Sequence, residues 1–378
     1  MKRTLFISAF MLTAAIAIAQ TTWNIGYPIE SEMTATFSGT TLTISGKGEM
    51  QHFFAFPRSW DSIRENIETL VIEEDVTAIG TLAFYDCRAL SSISLPESLK
   101  TIGEWAFHNC IALSSITLPE SIETIGDRAF LGCSGLSGTL TLPKSLETIG
   151  EWAFCGCVRL SALIIPEGVK VINRYAFSGC IGLSSITLPE SLETIGGFAF
   201  CCTDLSSITI PKNVTSIGEA AFYGCYGLSC SIILPEGVKK INEYTFYGCI
   251  GLSSVTIPED ITTIGGYAFS GCSNLSSVTN LADEPQNIYA YSTTFNGLTL
   301  SNITLYVPEA SIAKYQKADV WKEFKIAAIT GVQNLSPDEP AVVGYYSPAG
   351  VKLPQEPTSG TYIIMYDNGK AVKTIGRR

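Results

Sequence analysis

The sequence predicts a β-rich solenoid of leucine-rich, 23-residue coils, capped by an N-terminal β-hairpin region and a C-terminal helix and followed by a small C-terminal β unit. Three observations predict it. Phe84, Phe107, Phe130, Phe154, Phe177, Phe200, Phe222, Phe246 and Phe269 recur at spacings of 23, 23, 24, 23, 23, 22, 24 and 23 residues, each after an alanine or threonine. A fixed period in the low twenties with apolar residues at set offsets is the pattern of stacked coils. Within the copy at 113–133, Leu113, Ile116 and Leu118 alternate with polar residues, which predicts a short half-buried strand ending at Pro119, where no N–H remains to extend a ladder. Ile122, Ile125, Ala129, Phe130 and Cys133 then point inward on the return leg, with Gly126 at the bend. One such coil cannot offset its own ordering entropy, so it folds only between neighbours that close the apolar column.

Taken in order, residues 1–19 read as a secretory signal. Lys2 and Arg3 precede the apolar run LFISAFMLTAAIAIA, which closes on Ala17, Ile18 and Ala19, a small-x-small cleavage pattern before Gln20. The run is too short for a spanning helix of about 20 residues, so the mature chain is expected to hold no integral membrane segment. The chain carries a net charge of −11, and removing Lys2 and Arg3 makes it more acidic still. Such a surface repels phosphate backbones, which disfavours nucleic acid. With 46% hydrophobic and 16% charged residues, the composition fits a well-filled core.

Residues 20–66 lack the Phe and Cys marks and predict an N-terminal β cap, with MTATFSG and TLTISGKGEM joined through Gly39 and Thr40. Trp23, Phe53, Phe54, Phe56 and Trp60 are expected to cover the open end of the core, which would otherwise template aggregation. The repeats occupy 67–280. Residues 281–327 form a terminal repeat, with a last strand at 303–307 and a capping helix whose inward face is Ile312, Tyr315, Trp321 and Phe324. A linker spans 328–340. Residues 341–378 predict a small β unit of two or three strands with a hairpin at Asn368 and Gly369.

The repeats depart from register in three places. Residues 137–142 and 229–234 each hold one extra residue, the mark of a bulge. Between Phe200 and Leu205 one residue is missing, so Cys202 and Thr203 compete for the usual cysteine slot. That slot is otherwise filled by Cys87, Cys110, Cys133, Cys157, Cys180, Cys225, Cys249 and Cys272. Parallel Cβ vectors at strand spacing do not suit disulfides, so the column reads as buried thiols acting as small hydrophobes. Cys155, Cys201 and Cys230 lie outside it, and their redox state is open. The two histidines, His52 and His108, have no partner at metal-ligand spacing, and no phosphate-cradling glycine loop occurs. Glu97, Glu120, Glu167, Glu190, Glu236 and Glu259 follow the coil prolines and read as a solvated edge. No catalytic, cofactor-binding or metal-binding residue is expected, and no cofactor.

The unit LxxIxLPxSLxTIGxxAFxxC resembles the BspA-type leucine-rich repeat of bacterial surface proteins over residues 67 to about 327. WNIGYP, GTTLTISGKGEM and LYVPEASIAKYQKADVWKEF also resemble that family's end caps. The tail YYSPAGVKLPQEPTSGTYIIMYDNGKAVK resembles short C-terminal sorting or anchoring segments of Bacteroidota-type secretion. The resemblance implies a secreted or cell-surface, non-catalytic protein that mediates protein binding or adhesion, with host matrix proteins or another cell surface as partners.

Two faces are candidates for such contact. One is an aromatic column two residues before each phenylalanine: Trp105, Trp152, Tyr175, Phe198, Tyr244 and Tyr267. Spaced aromatics suit a protein partner or, in the alternative reading, a glycan chain met by ring faces; against both stands simple inter-coil packing. The other is the outward strand face, which includes Ser115, Thr117, Ser185, Thr187, Ser207 and Thr209. Hydroxyls offer hydrogen bonds but little anchoring area, so this face reads first as solvated scaffold.

Overall fold

The computed structural model describes residues 20–54, 58–288 and 293–329 in full. Beyond these it describes only the backbone of four C-terminal strands. The segment read as a signal, residues 1–19, lies outside the described residues, as do Phe56, the linker from residue 330 onward and the Asn368–Gly369 turn. The chain winds into a β-solenoid of about eleven turns with coils of about 23 residues. Each turn has a strand leg, a return leg and a third, tightly turned side.

The strand legs stack in parallel as three sheets. The first begins antiparallel, Thr21–Asn24 on Met33–Ser38 on Thr41–Gly46, and continues parallel into Thr69–Ile72 and Ser92–Ser94. The second holds Ser137–Thr141, Arg159–Ile164 and Ser185–Thr187, and the third runs from Ser231–Ile233 to Lys325–Ala328. The strand expected at 113–118 does not form, and residues 206–210 are likewise unpaired. Single bonds bridge those coils instead, such as Ser137 N–H to Ser114 O at 3.1 Å. The first gap adjoins the extra residue: the ladder slips between Gly138 and Thr139, and Gly138 sits at φ +76°. At the second insertion, Ser231–Ile233 pairs in unbroken register with Ser254–Ile257, so that extra residue is absorbed ahead of the strand rather than as a bulge within it. The return legs form a nine-stranded sheet from Gly26–Tyr27 to Ser216–Ile217, followed by the pair Lys240–Ile241 and Thr263–Ile264.

The core is one column. From Trp60 through Phe295, successive rings stack with centroids 5.1–5.8 Å apart and planes within 19°. Trp321 and Phe324 close the far end edge-on. Beside the rings runs the thiol column, every member fully buried. These thiols do more than fill space. Each Sγ from Cys110 onward donates to the carbonyl of a phenylalanine one coil back, as in Cys133 to Phe107 O at 3.0 Å and Cys180 to Phe154 O at 3.2 Å. Thr203, not Cys202, takes the slot in the shortened coil, donating to Phe200 O at 2.9 Å.

The N-terminal end is closed by mimicry of a missing coil. On the third side of inner coils, carbonyls accept N–H groups from the coil before, as in Phe84 N–H to Ala106 O and Asp86 N–H to His108 O. In the first coil, the matching carbonyls of Thr81, Ala83 and Tyr85 accept instead from Phe53 N–H at 3.0 Å, Trp60 Nε1 at 2.9 Å and Arg58 Nη2 at 2.8 Å. Arg58 is buried against Asp61, which balances its charge. Phe54, expected over the core, is instead 77% exposed, because Phe53 and Trp60 already fill that position.

At the other end the expected lid helix shrinks to one turn, Ile312–Tyr315. The chain leaves it at Val320, whose φ of +67° no α-helix tolerates, and a 3₁₀ turn at Trp321–Glu323 leads into one further strand, Lys325–Ala328. Tyr315 and Trp321 are nevertheless fully buried and donate to Ala282 O and Gln286 O, each at 2.9 Å. The C-terminal unit has four strands rather than two or three, in the order Lys352–Leu353, Val342–Tyr346, Gly360–Tyr366, Ala371–Gly376, all antiparallel.

Candidate functional site

The aromatic column lies on the third side of the solenoid, and its backbone is unusual. Trp105, Trp152, Tyr175, Phe198, Tyr244 and Tyr267 all occupy the left-handed region, with φ of 56–58°. Bulky residues rarely accept this conformation, which costs on the order of 1–2 kcal/mol each. It turns each N–H along the rod axis: Trp152 donates to Arg174 O and Tyr175 to Gly197 O, both at 3.0 Å. Glycine would meet the same backbone demand without strain. The rings are therefore there for what their side chains do.

Part of that is packing between coils. Trp152 and Tyr175 stack at 3.9 Å, Tyr175 and Phe198 at 4.7 Å, and Tyr244 and Tyr267 at 4.9 Å. The column is broken where its slot holds Arg128 and Ala220, both also left-handed. The Arg128 guanidinium lies over Trp105 at 4.8 Å, and Arg174 lies over Tyr175 at 5.1 Å and Phe198 at 5.5 Å. All six rings are half-buried, and all but Trp105 stack face to face on another member of the column. A second, adjoining column adds Tyr85 stacked on His108 at 4.5 Å and Tyr223 on Tyr247 at 4.7 Å. Its period was visible in the sequence, since these residues directly follow the core phenylalanines.

The alternative face is placed as drawn from the alternation. Ser115, Thr117, Ser185, Thr187, Ser207 and Thr209 are all exposed. Their neighbours Ile116 and Ile186 are only partly buried, so this side of the column is thinly covered.

The glutamate edge is more than solvated. Glu167 accepts the N–H groups of Glu190 at 2.9 Å and Ser191 at 3.1 Å in the next coil, and Glu120 accepts Lys144 N–H at 2.9 Å. The two backbone donors hold the Glu167 carboxyl below its ordinary range. A depressed folded value means the contribution is present at neutral pH and is lost as pH falls through that value. Glu167→Ala is thus expected to lower the denaturant midpoint at neutral pH. Its difference from wild type should close on acidification below the usual carboxylate range; an unchanging gap would contradict the assignment.

Both histidines pack against aromatic rings. His52 Nδ1 accepts the Thr81 N–H at 3.1 Å, which places the proton of the neutral ring on Nε2. His108 stacks on Tyr85 and meets Trp105 edge-on, and burial pushes its pKa down. Among the described residues no three His, Cys, Asp or Glu side chains gather to hold a metal ion.

A family model, the BspA type leucine-rich repeat region, matches the chain in six copies over residues 62–157, 138–230 and 198–317. Among solved structures, a leucine-rich repeat protein from Eubacterium ventriosum is 20% identical with a TM-score of 0.53, covering 82% of this chain and 85% of its own. A leucine-rich cell surface protein from Faecalibacterium prausnitzii is 21% identical with a TM-score of 0.42, covering 79% and 93%. No curated protein matches. Among the described residues no helix is long and apolar enough to cross a membrane.

Proposed function

Because the chain belongs to the BspA-type leucine-rich repeat family, we propose that it is a non-catalytic binding or adhesion protein of the cell exterior, engaging a protein partner along the aromatic edge centred on Trp152, Tyr175 and Phe198. Residues 1–19 serve as its export signal in this reading. The partner is a protein of the host matrix or of another cell.

The observation that carries this reading is the retention of large rings at left-handed backbone positions beside Arg128 and Arg174. Half-exposed Trp, Tyr and Arg side chains on rigid elements are the composition that dominates binding energy at protein interfaces. Arg174 is exposed on an otherwise acidic molecule, which suits an acidic or aromatic patch on the partner. A sugar chain would need free ring faces, and here Tyr175 is covered on both sides while Trp152 is covered by Tyr175. That geometry favours protein over glycan.

Purified protein screened against arrays of matrix proteins and glycans tests both partner and face. Trp152→Ala combined with Tyr175→Ala is expected to weaken binding about tenfold or more, while Ser185→Ala with Thr187→Ala leaves it unchanged. The reverse result would move the site to the strand face. Binding confined to glycans would replace the protein partner.

A further inference from the structure

The coil shortened by one residue carries a second departure, at its cysteines. Cys202 occupies the slot that Asp86 and Asn109 hold in the first two coils and Gly132, Gly156, Gly179, Gly224, Gly248 and Gly271 in later ones, and like them it is left-handed, with φ of 58°. Its neighbour Cys201 shares the coil's tight turn, where Cys201 N–H bonds Phe198 O at 3.2 Å and Cys202 N–H bonds Tyr223 O at 2.7 Å. The two Sγ atoms stand 3.4 Å apart. Unlike the eight thiols of the core column, both are partly exposed.

We infer that Cys201 and Cys202 are a vicinal dithiol that closes reversibly to an intra-turn disulfide, a redox modification site on the third side of the solenoid. Closure requires the sulfurs to approach from 3.4 Å to about 2.05 Å by side-chain rotation. Adjacent Cα atoms are about 3.8 Å apart, below the usual span of about 4.4–6.8 Å for a disulfide. The resulting ring is strained and therefore easily reduced, which marks it as a switchable bond rather than a structural one.

The two sulfurs have different roles. Cys202 lies against the next coil: a Cβ built on Gly224 would lie 3.4 Å from its Sγ and 3.7 Å from the ring of Tyr226, which is 60% exposed. Burial, with the hydrogen bond to Cys202, pushes the Cys201 thiol up to about 12, so it holds little thiolate at neutral pH. In the proposed step Cys202, deprotonated, attacks and Cys201 resolves. The co-reactant is an external disulfide, R–S–S–R, such as a glutathione-type or protein disulfide. One R–S⁻ leaves and takes up the proton lost by Cys202. The Cys201 sulfur then displaces the second R–S⁻, its own proton passing to that leaving group. Two thiols are oxidised to one disulfide, and one external disulfide is reduced to two thiols.

No rival partner is as close. Cys155 has the same slot as Cys201 but lies two coils away with Ser178 between, and the column thiols are sealed in the core. The site is tested without any binding partner. The full chain, freed of reductant, is incubated with oxidised glutathione, then denatured, alkylated and mapped by mass spectrometry. The expected result is a peptide containing Cys201 and Cys202 that is lighter by two hydrogens and unalkylated, restored by dithiothreitol, with the column thiols alkylated throughout. Reduced protein should also bind phenylarsine oxide one to one. Cys202→Gly, which restores the residue most other coils carry, should fold normally and lose both behaviours. Full alkylation of the pair, a stable glutathione adduct on Cys202, or a bridge to Cys155 would each overturn the assignment.

Discussion

Phe177→Ala is expected to lower the unfolding free energy by about 3–5 kcal/mol, read as a denaturant midpoint shift against wild type. Phe177 is fully buried, with rings of Phe154 and Phe200 on its two faces at 5.6 and 5.8 Å. Truncation removes both stacking contacts at once and leaves a cavity that neither neighbour can fill, because each is held by its own coil. In a solenoid each coil is stabilised by the two beside it, so a defect at mid-rod weakens two interfaces. Thr187→Ala, an exposed hydroxyl one coil leg away, is the control and should stay within about 0.5 kcal/mol. Comparable shifts for the two would contradict the division into inside and outside faces.

That division was legible because it depends on period alone. Ile122, Ile125, Ala129, Phe130 and Cys133 are all fully buried, as their offsets required. What period could not show is what happens at the ends and between coils. Arg58 reads in sequence as an ordinary surface charge, yet it donates to carbonyls of Leu82 and Tyr85 from a buried position. Nothing local marks it, since the need it meets arises only once the first coil has an open face. Ile312, Tyr315, Trp321 and Phe324 did suggest helical spacing, and Tyr315, Trp321 and Phe324 are buried. The left-handed Val320, however, breaks the run into a single helical turn, a 3₁₀ turn and a strand.

The aromatic column shows the same limit at the candidate site. Its spacing placed Trp152, Tyr175 and Phe198 on one line, but spacing does not reveal φ. Left-handed backbone normally announces itself through glycine or asparagine, and here it is held by six aromatic side chains. Conversely, Cys202 looked like a displaced member of the thiol column. Thr203 fills that slot because its hydroxyl reaches Phe200 O, leaving Cys202 at a left-handed position that most other coils give to glycine.

Gly150→Ala should be nearly as damaging, for the opposite reason. Gly150 begins the third side of its coil, and a Cβ there would stand 2.4 Å from Asp127 N and 2.5 Å from Gly126 C in the coil before. Both are backbone atoms, fixed by the pairing of Thr124–Ile125 with Thr148–Ile149 and by the bond from Gly150 N–H to Ile125 O at 2.8 Å. Relief comes only by separating the two coils, which breaks that bond and opens the stack of Phe130 on Phe154 at 5.1 Å. The expected loss is about 3 kcal/mol, the upper end of ordinary overpacking. Gly266→Ala provides the contrast: the nearest atom is the Thr293 hydroxyl at 3.3 Å, so the methyl group meets only a movable side chain. With the reduced freedom of the unfolded chain in its favour, that variant should stay within about 1 kcal/mol of wild type. Equal midpoints for Gly150→Ala and Gly266→Ala would mean that the coils stack less closely than these contacts require.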